Sequence, residues 1–254
     1  MTVPLLVEPD LSTDRLRVDQ LLAERLSGQP GVVGDAMRYA VLSGGQRLRP
    51  ILALQVADLL GTVTETTLRA ASAVELFHSA SLIVDDLPCM DNSALRRNRP
   101  AAHIQFGEAT ALLAAFALVG LAARTVADLP PFQLHLLRML DSSSLVGGQA
   151  LDLALRGEER DSQRAHVTDL KTVPLFELAV EAGLLESGGQ HRRRLLEFGR
   201  ELGIAYQMMD DYVDGEIADR AAIDRQFART RDLLAPFGVS AVGLHSFLDH
   251  LGNA

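Results

Sequence analysis

Residues 65–91 read ETTLRAASAVELFHSASLIVDDLPCMD. Between Leu68 and Val84 the apolar side chains (Leu68, Ala71, Val74, Leu76, Phe77, Leu82, Ile83, Val84) fall nearly all the way round a helix. Such a helix must be central in a bundle, because every side of it needs an apolar neighbour. The pattern predicts a helix over 65–87 that ends in Asp85 and Asp86, with Asp91 just beyond. Asp85 and Asp91 are six residues apart, and an unbroken helix would not bring them onto one face. Pro88 resolves this: it ends or kinks the helix, so the chain can loop and return Asp91 toward Asp85.

Helical periodicity recurs along the chain, and Ala and Leu outnumber β-branched and aromatic residues. Further helices are expected near 14–28, 31–43, 45–60, 93–99, 107–128, 131–155, 163–187, 190–215, 219–236 and 239–252. Connections are short and no linker or repeat divides them, which predicts an all-α single domain over 14–254 behind a loose N-terminal arm, 1–13. The helix at 190–215 also ends in carboxylates, Asp210, Asp211 and Asp214, so two central helices should carry acids toward one mouth. Asp210 and Asp214, at i and i+4, share a face. Buried carboxylates repel one another unless a cation compensates. Oxygen ligands without sulfur or imidazole select a hard cation, Mg²⁺ before Ca²⁺, and Mg²⁺ so held keeps positions open for phosphates.

The net charge of −9 and a pI near 5.2 argue against nucleic acid as a partner. Cys89 is the lone cysteine, so no intrachain disulfide can form and a reducing, cytoplasmic setting is expected. The acidic N-terminus does not read as a signal peptide. The longest uncharged run, Ala109–Ala123, is 15 residues; it reads as a buried core helix, not a transmembrane segment. Lys171 is the single lysine in an Arg-biased chain, which hints at a site that wants a compact ammonium. Gly44-Gly45-Gln46-Arg47-Leu48-Arg49-Pro50 places glycines and arginines at a helix start, a pattern suited to an anionic phosphate and equally to a surface turn. Arg96-Arg97 and Arg99 follow the first cluster, and His78 lies seven residues before Asp85.

These stretches, with Gly148-Gln149, Asp152-Leu153, Lys171-Thr172, Leu175-Phe176 and Gln207 through Asp214, resemble the trans-isoprenyl diphosphate synthases (polyprenyl synthetases). They are most similar to bacterial geranylgeranyl diphosphate synthases. The resemblance implies an all-α isoprenoid-synthase bundle with a central cavity, usually a homodimer, that joins isopentenyl diphosphate to an allylic diphosphate. It implies Mg²⁺ (three ions with substrate bound) on Asp85, Asp91, Asp210 and Asp214, with Asp86 among the catalytic acids. Arg96 and Lys171 would hold the allylic diphosphate, with Thr172 and Gln207 beside them. Gln46, Arg49, His78 and Arg97 would hold isopentenyl diphosphate. Ser81 lies one turn below Asp85, with Ala80 its neighbour. Small residues there would leave a tail channel open, floored by Phe77 or Phe116, for a product beyond C15 and most simply C20.

Two departures stand out. Gln46 replaces the family's usual lysine, and the Gly-Lys lid expected after Asp214 is missing from the sequence. The gap fits a deletion in a slow or inactive member, a segment absent from this sequence, or a divergent regulatory subunit of a heteromeric synthase. A class I terpene cyclase would share the acids without needing Arg49, His78 and Arg97.

Overall fold

The computed structural model describes residues 11–155 and 157–252. Most of the expected arm therefore lies outside the described residues, and its last three residues begin the first helix, α1 (Leu11–Ser27). The chain continues through α2 (Gly31–Leu42), α3 (Leu48–Leu59), α4 (Glu65–Asp85), α5 (Ala102–Phe106), α6 (Glu108–Thr125), α7 (Pro130–Arg138), α8 (Leu145–Ala154), α9 (Gly157–Lys171), α10 (Val173–Leu184), α11 (Arg192–Val213) and α12 (Arg220–Asp232). A 3₁₀ turn, Ala235–Ala241, leads into α13 (Val242–Gly252). The all-α expectation holds: the described strands are two-residue segments, β1 (Leu95–Arg96) and β2 (Arg99–Pro100), paired antiparallel.

The helix that decides the fold, α4, starts at a capping box. Thr64 Oγ1 accepts from the Thr67 amide at 3.3 Å, satisfying one of the donors that a helix start leaves unpaired. The helix ends at Asp85, because Pro88 disfavours helical backbone before it and offers no N–H. Between those ends α4 packs against α1, α2, α3, α6 and α10, as its all-round apolar surface demands. Phe77 is 2% exposed in this core, and its truncation to alanine should cost about 3–5 kcal/mol.

Four expectations need correction. Residues 93–99 form the β1–β2 hairpin instead of a helix: Arg97 and Asn98 take φ of 54° and 60°, the two left-handed positions of a tight hairpin turn. The expected 131–155 helix divides into α7 and α8, where Ser142-Ser143-Ser144 compete for backbone hydrogen bonds. The expected 163–187 helix breaks at Thr172, because Pro174 cannot accept a place inside a continuous helix. Finally, α11 is not apolar all round. It buries Leu195, Phe198, Leu202, Ala205 and Met209 on one side and exposes Arg192–Arg194 at its start, so α10, packed against both α4 and α11, shares the central place.

Helix α6 is long and apolar enough, by length and composition, to cross a membrane. Its inner face packs against α4 while Leu112, Leu113 and Phe116 are exposed, so it is half-buried instead of the fully buried core helix that its composition implied. Phe116, 66% exposed, cannot floor a channel within this chain.

Candidate active site

A cavity of about 680 Å³ opens where the ends of α4 and α11 meet the wall formed by α9 and the loop before α3. Pro88 acts as expected. The chain turns after α4, and the Asp91 amide donates to the Asp85 carbonyl at 3.0 Å, bringing both residues to the cavity lining. Burial pushes the Asp85 carboxyl up to about 6; nearby Lys171 and Arg96 oppose the shift while Asp91 and Asp86 add to it. A carboxylate that two cations leave so far raised is one whose ionised form wants a further positive charge.

Asp86 is different. Neighbours at a helix end point about 100° apart, and Asp86 turns into the protein, with a side chain 3% exposed. It accepts from Arg96 Nε at 3.1 Å and from Arg96 Nη2 at 2.5 Å. Asp86 is absent from the described cavity lining, whereas Arg96 is part of it. The acid grouped with the catalytic carboxylates by resemblance thus aims a cation into the site.

The second cluster differs: Asp210, Asp211 and Asp214 all line the cavity, and Asp211 also holds an arginine. Asp210 and Asp214 are exposed at the cavity, and Asp214 caps α11. Partial burial raises the Asp210 pKa, and Asp214 and Asp211 raise it further. Asp211 is 7% exposed and accepts from Gln207 Nε2 at 2.8 Å and from Arg164 Nη1 at 3.2 Å. Arg164 also donates to Glu216 at 2.5 Å. Gln207 Oε1 accepts in turn from Thr172 Oγ1 at 2.6 Å, which ties α11 to the α9–α10 break.

Lys171 ends α9 and donates to Asp152 at 2.9 Å. Helix α8 crosses this point at backbone contact: a Cβ on Gly148 would lie 2.6 Å from the Lys171 amide nitrogen, so glycine is required there. On the opposite wall, Gly45 has φ +113°, and a Cβ on it would meet the Arg97 guanidinium carbon at 2.5 Å. Arg97 itself donates to the Gly44 carbonyl. That contact holds the left-handed hairpin turn and sets Arg97 in the cavity lining, next to Gln46.

Arg49 is buried and stacks on Phe176, 4.9 Å from its ring centre, with Nη1 3.1 Å from His78 Nε2. Burial, then the positive field of Arg49 and Arg97, pulls the His78 pKa well below the ordinary value, so the ring is neutral. Its Nε2 accepts from Arg49, which leaves the proton on Nδ1. Among the described residues, His78 Nδ1 and Arg49 Nε are buried without a hydrogen-bond partner.

Arg47 lines the cavity with its guanidinium already paired, and Arg99 lies outside the described lining. Arg47 is committed to Asp19, Glu75 and the Val41 carbonyl at 2.6–2.8 Å, and holds the loop instead of a ligand. Arg99 lies over the Tyr39 ring. Of the chain-length candidates, Ser81 lines the cavity, whereas Ala80 and Phe77, each 2% exposed, lie in the core outside the described lining. Sequence reasoning missed Gln149 and Arg164. The Gln149 amide lines the cavity with both polar atoms buried and unpaired; Arg164 was detectable as the residue seven before Lys171, on the same helix face.

The mouth thus gathers carboxylates and cationic side chains in one lining. The family model for polyprenyl synthetase covers residues 30–229. This chain belongs to that family. Among curated relatives, geranylgeranyl pyrophosphate synthase 10, mitochondrial, of Arabidopsis thaliana is 40% identical over 72% of this chain and 57% of its own length. The heterodimeric geranylgeranyl pyrophosphate synthase large subunit 2 of the same plant is 35% identical, over 82% of this chain and 59% of its own. The chain thus spans less than two thirds of the length of either relative. The apo crystal structure of an FPP/GFPP synthase from Zymomonas mobilis is similar with a TM-score of 0.84 and 32% identity, over 94% of this chain and 96% of that one. As in that solved structure, this polyprenyl synthetase is an all-α isoprenoid-synthase fold.

Proposed function

We propose that this polyprenyl synthetase joins isopentenyl diphosphate to an allylic diphosphate and releases a longer trans-prenyl diphosphate, geranylgeranyl diphosphate (C20). The observation that carries the reading is that one cavity is lined both by Asp85, Asp91, Asp210 and Asp214 and by the cations Lys171, Arg96, Arg49 and Arg97, with His78 and Gln46 beside them.

The acids fit Mg²⁺. Asp85 and Asp210 are raised by burial and by like charges, and both clusters present oxygen ligands only. Mg²⁺ held here would take its remaining ligands from diphosphate and water. With substrate bound we propose three such ions. Mg²⁺, when bound, neutralises the charge that develops on the leaving pyrophosphate.

The chain's own residues do the rest. Lys171 and Arg96 bind the allylic diphosphate, and Arg96 is oriented for this by Asp86. Arg49 Nε, His78 Nδ1 and Arg97 hold the isopentenyl diphosphate so that its double bond faces the allylic carbon. The allylic carbon–oxygen bond breaks, the isopentenyl double bond attacks the resulting cation, and the adduct loses a proton to the departing pyrophosphate.

Ser81 lines the cavity, and we assign it to the side that takes the growing tail. A helix turn is about 5.4 Å, close to one isoprene unit, so a bulky side chain at this position should remove about one unit from the product. Incubation with Mg²⁺, labelled isopentenyl diphosphate and farnesyl diphosphate should give C20 product, and Ser81→Phe should shorten it. Failure to elongate any allylic diphosphate would remove the reading. The exposed Leu112, Leu113 and Phe116 on α6 support a homodimer, testable by light scattering. Gln46, which brings no charge to the cavity, favours a second reading as the weak subunit of a heteromeric synthase. In that case elongation appears only after a partner synthase is added.

A further inference from the structure

Each acid cluster at this cavity contains an aspartate that holds an arginine. Asp86 holds Arg96 and Asp211 holds Arg164, and both arginines line the cavity. On α9, Arg164, Val167, Thr168 and Lys171 fall at i, i+3, i+4 and i+7, and all four line the cavity. Lys171 and Arg164 are therefore on one face, about 10 Å apart along the helix axis. Lys171 lies near Asp85 of the first cluster, and Arg164 touches Asp211 of the second. The same wall thus presents one cation to each acid cluster.

Arg164 is set apart by its second partner. Glu216, two residues beyond Asp214, binds it at 2.5 Å, with side chains 24% and 32% exposed. The Glu216 amide also donates to the Asp211 carbonyl at 2.8 Å, so the turn after α11 folds back against the Arg164 contact. A partly exposed ion pair of this kind contributes little to stability and exchanges readily with a better anion. No lysine follows Asp214, so Arg164 is the cation that touches the second cluster among the described contacts.

We propose that Arg164 is a diphosphate-binding residue of this site, held in reserve by Glu216 and transferred to the substrate's diphosphate when it binds between the two clusters. Glu216 is then a competitor for the anion, and the turn after α11 acts as an acidic clasp. The proposal rests on the prenyltransferase reading and assigns a residue which that reading does not use.

Mg²⁺-dependent binding of inorganic pyrophosphate, measured by calorimetry on the whole chain, tests it. Arg164→Gln should weaken binding about tenfold, the loss of one charge-assisted hydrogen bond. Glu216→Gln should tighten binding by a few-fold, because the competing carboxylate is gone, and Arg164→Lys should recover part of the loss. A purely structural ion pair would make Arg164→Gln and Glu216→Gln shift binding in the same direction. Equal shifts, or unchanged binding in Arg164→Gln while Lys171→Gln binds weakly, would overturn the role of Arg164 and leave the prenyltransferase reading intact. No pyrophosphate binding by the wild-type chain would overturn both.

Discussion

The two aspartate clusters are alike in composition and unlike in setting. In the first, Asp85 is raised to about 6 by burial and Asp86 is locked to Arg96, while the Pro88 turn carries the exposed Asp91 back by a backbone hydrogen bond. The second stands in the open, with Asp210 and Asp214 exposed and an acid, Glu216, next along the chain. The lesson is that one of the neighbouring aspartates at each helix end, about 100° round the helix from the first, anchors an arginine that lines the same cavity. What separates the clusters is the chain that follows, a basic hairpin after the first and an acidic turn after the second.

The sharpest way to break this comparison is to remove the inward acids. Asp85→Ala should lower kcat/KM for elongation by about 10³-fold or more, the order expected when metal-assisted charge neutralisation fails. Asp210→Ala should cost about 10²-fold, since its more exposed site leaves water to replace the lost ligand. Equal losses would show that the difference in enclosure has no chemical meaning. Next come the anchors. Asp86→Asn should raise the allylic KM by about tenfold through a misplaced Arg96, with a smaller change in kcat; a loss in kcat alone would make Asp86 a ligand of the reacting groups instead.

A smaller effect concerns isopentenyl binding. Gln46→Lys adds a cation beside Arg97 and should lower the isopentenyl KM about fivefold, the scale of one partly screened charge. Unchanged KM would place the isopentenyl diphosphate elsewhere in the cavity.

The smallest expected effect is thermodynamic. Folded Asp85 keeps its proton to about pH 6, whereas the unfolded residue releases it near 3.8. Between those values the folded state binds the extra proton, so the metal-free protein loses stability as pH rises through the window. Asp85→Asn should flatten that decline and raise the melting temperature at pH 7 by about 3 °C. Mg²⁺ with pyrophosphate should erase the difference by stabilising the wild-type carboxylate. A pH profile unaltered by the substitution would assign the decline to other groups.

Much of the fold was legible. An apolar surface round 65–87 can only be buried on all sides, so α4 had to be central, and a proline three residues past its end had to turn the chain. Less legible were the breaks. Nothing local marks Arg97 as left-handed; the Gly44 carbonyl and the space over Gly45 impose that conformation from 53 residues away in sequence. The same distance hid the true roles of Arg47, committed to Asp19 and Glu75, and of Arg164, whose partners lie beyond α11.

By itself the sequence determined residue types and short-range spacing: an all-α bundle, two acidic helix ends, and a single lysine at 171. These follow from periodicity and charge, which are local properties. Only the tertiary structure decided that Asp86 turns away from the cavity while Asp85 and Asp211 line it, which partner each arginine takes, and that Ser81 lines the wall while Ala80 does not. The physical reason is that a side chain's direction and its partner depend on packing between helices far apart in the chain, and a carboxylate's role depends on whether that packing has already given it a cation.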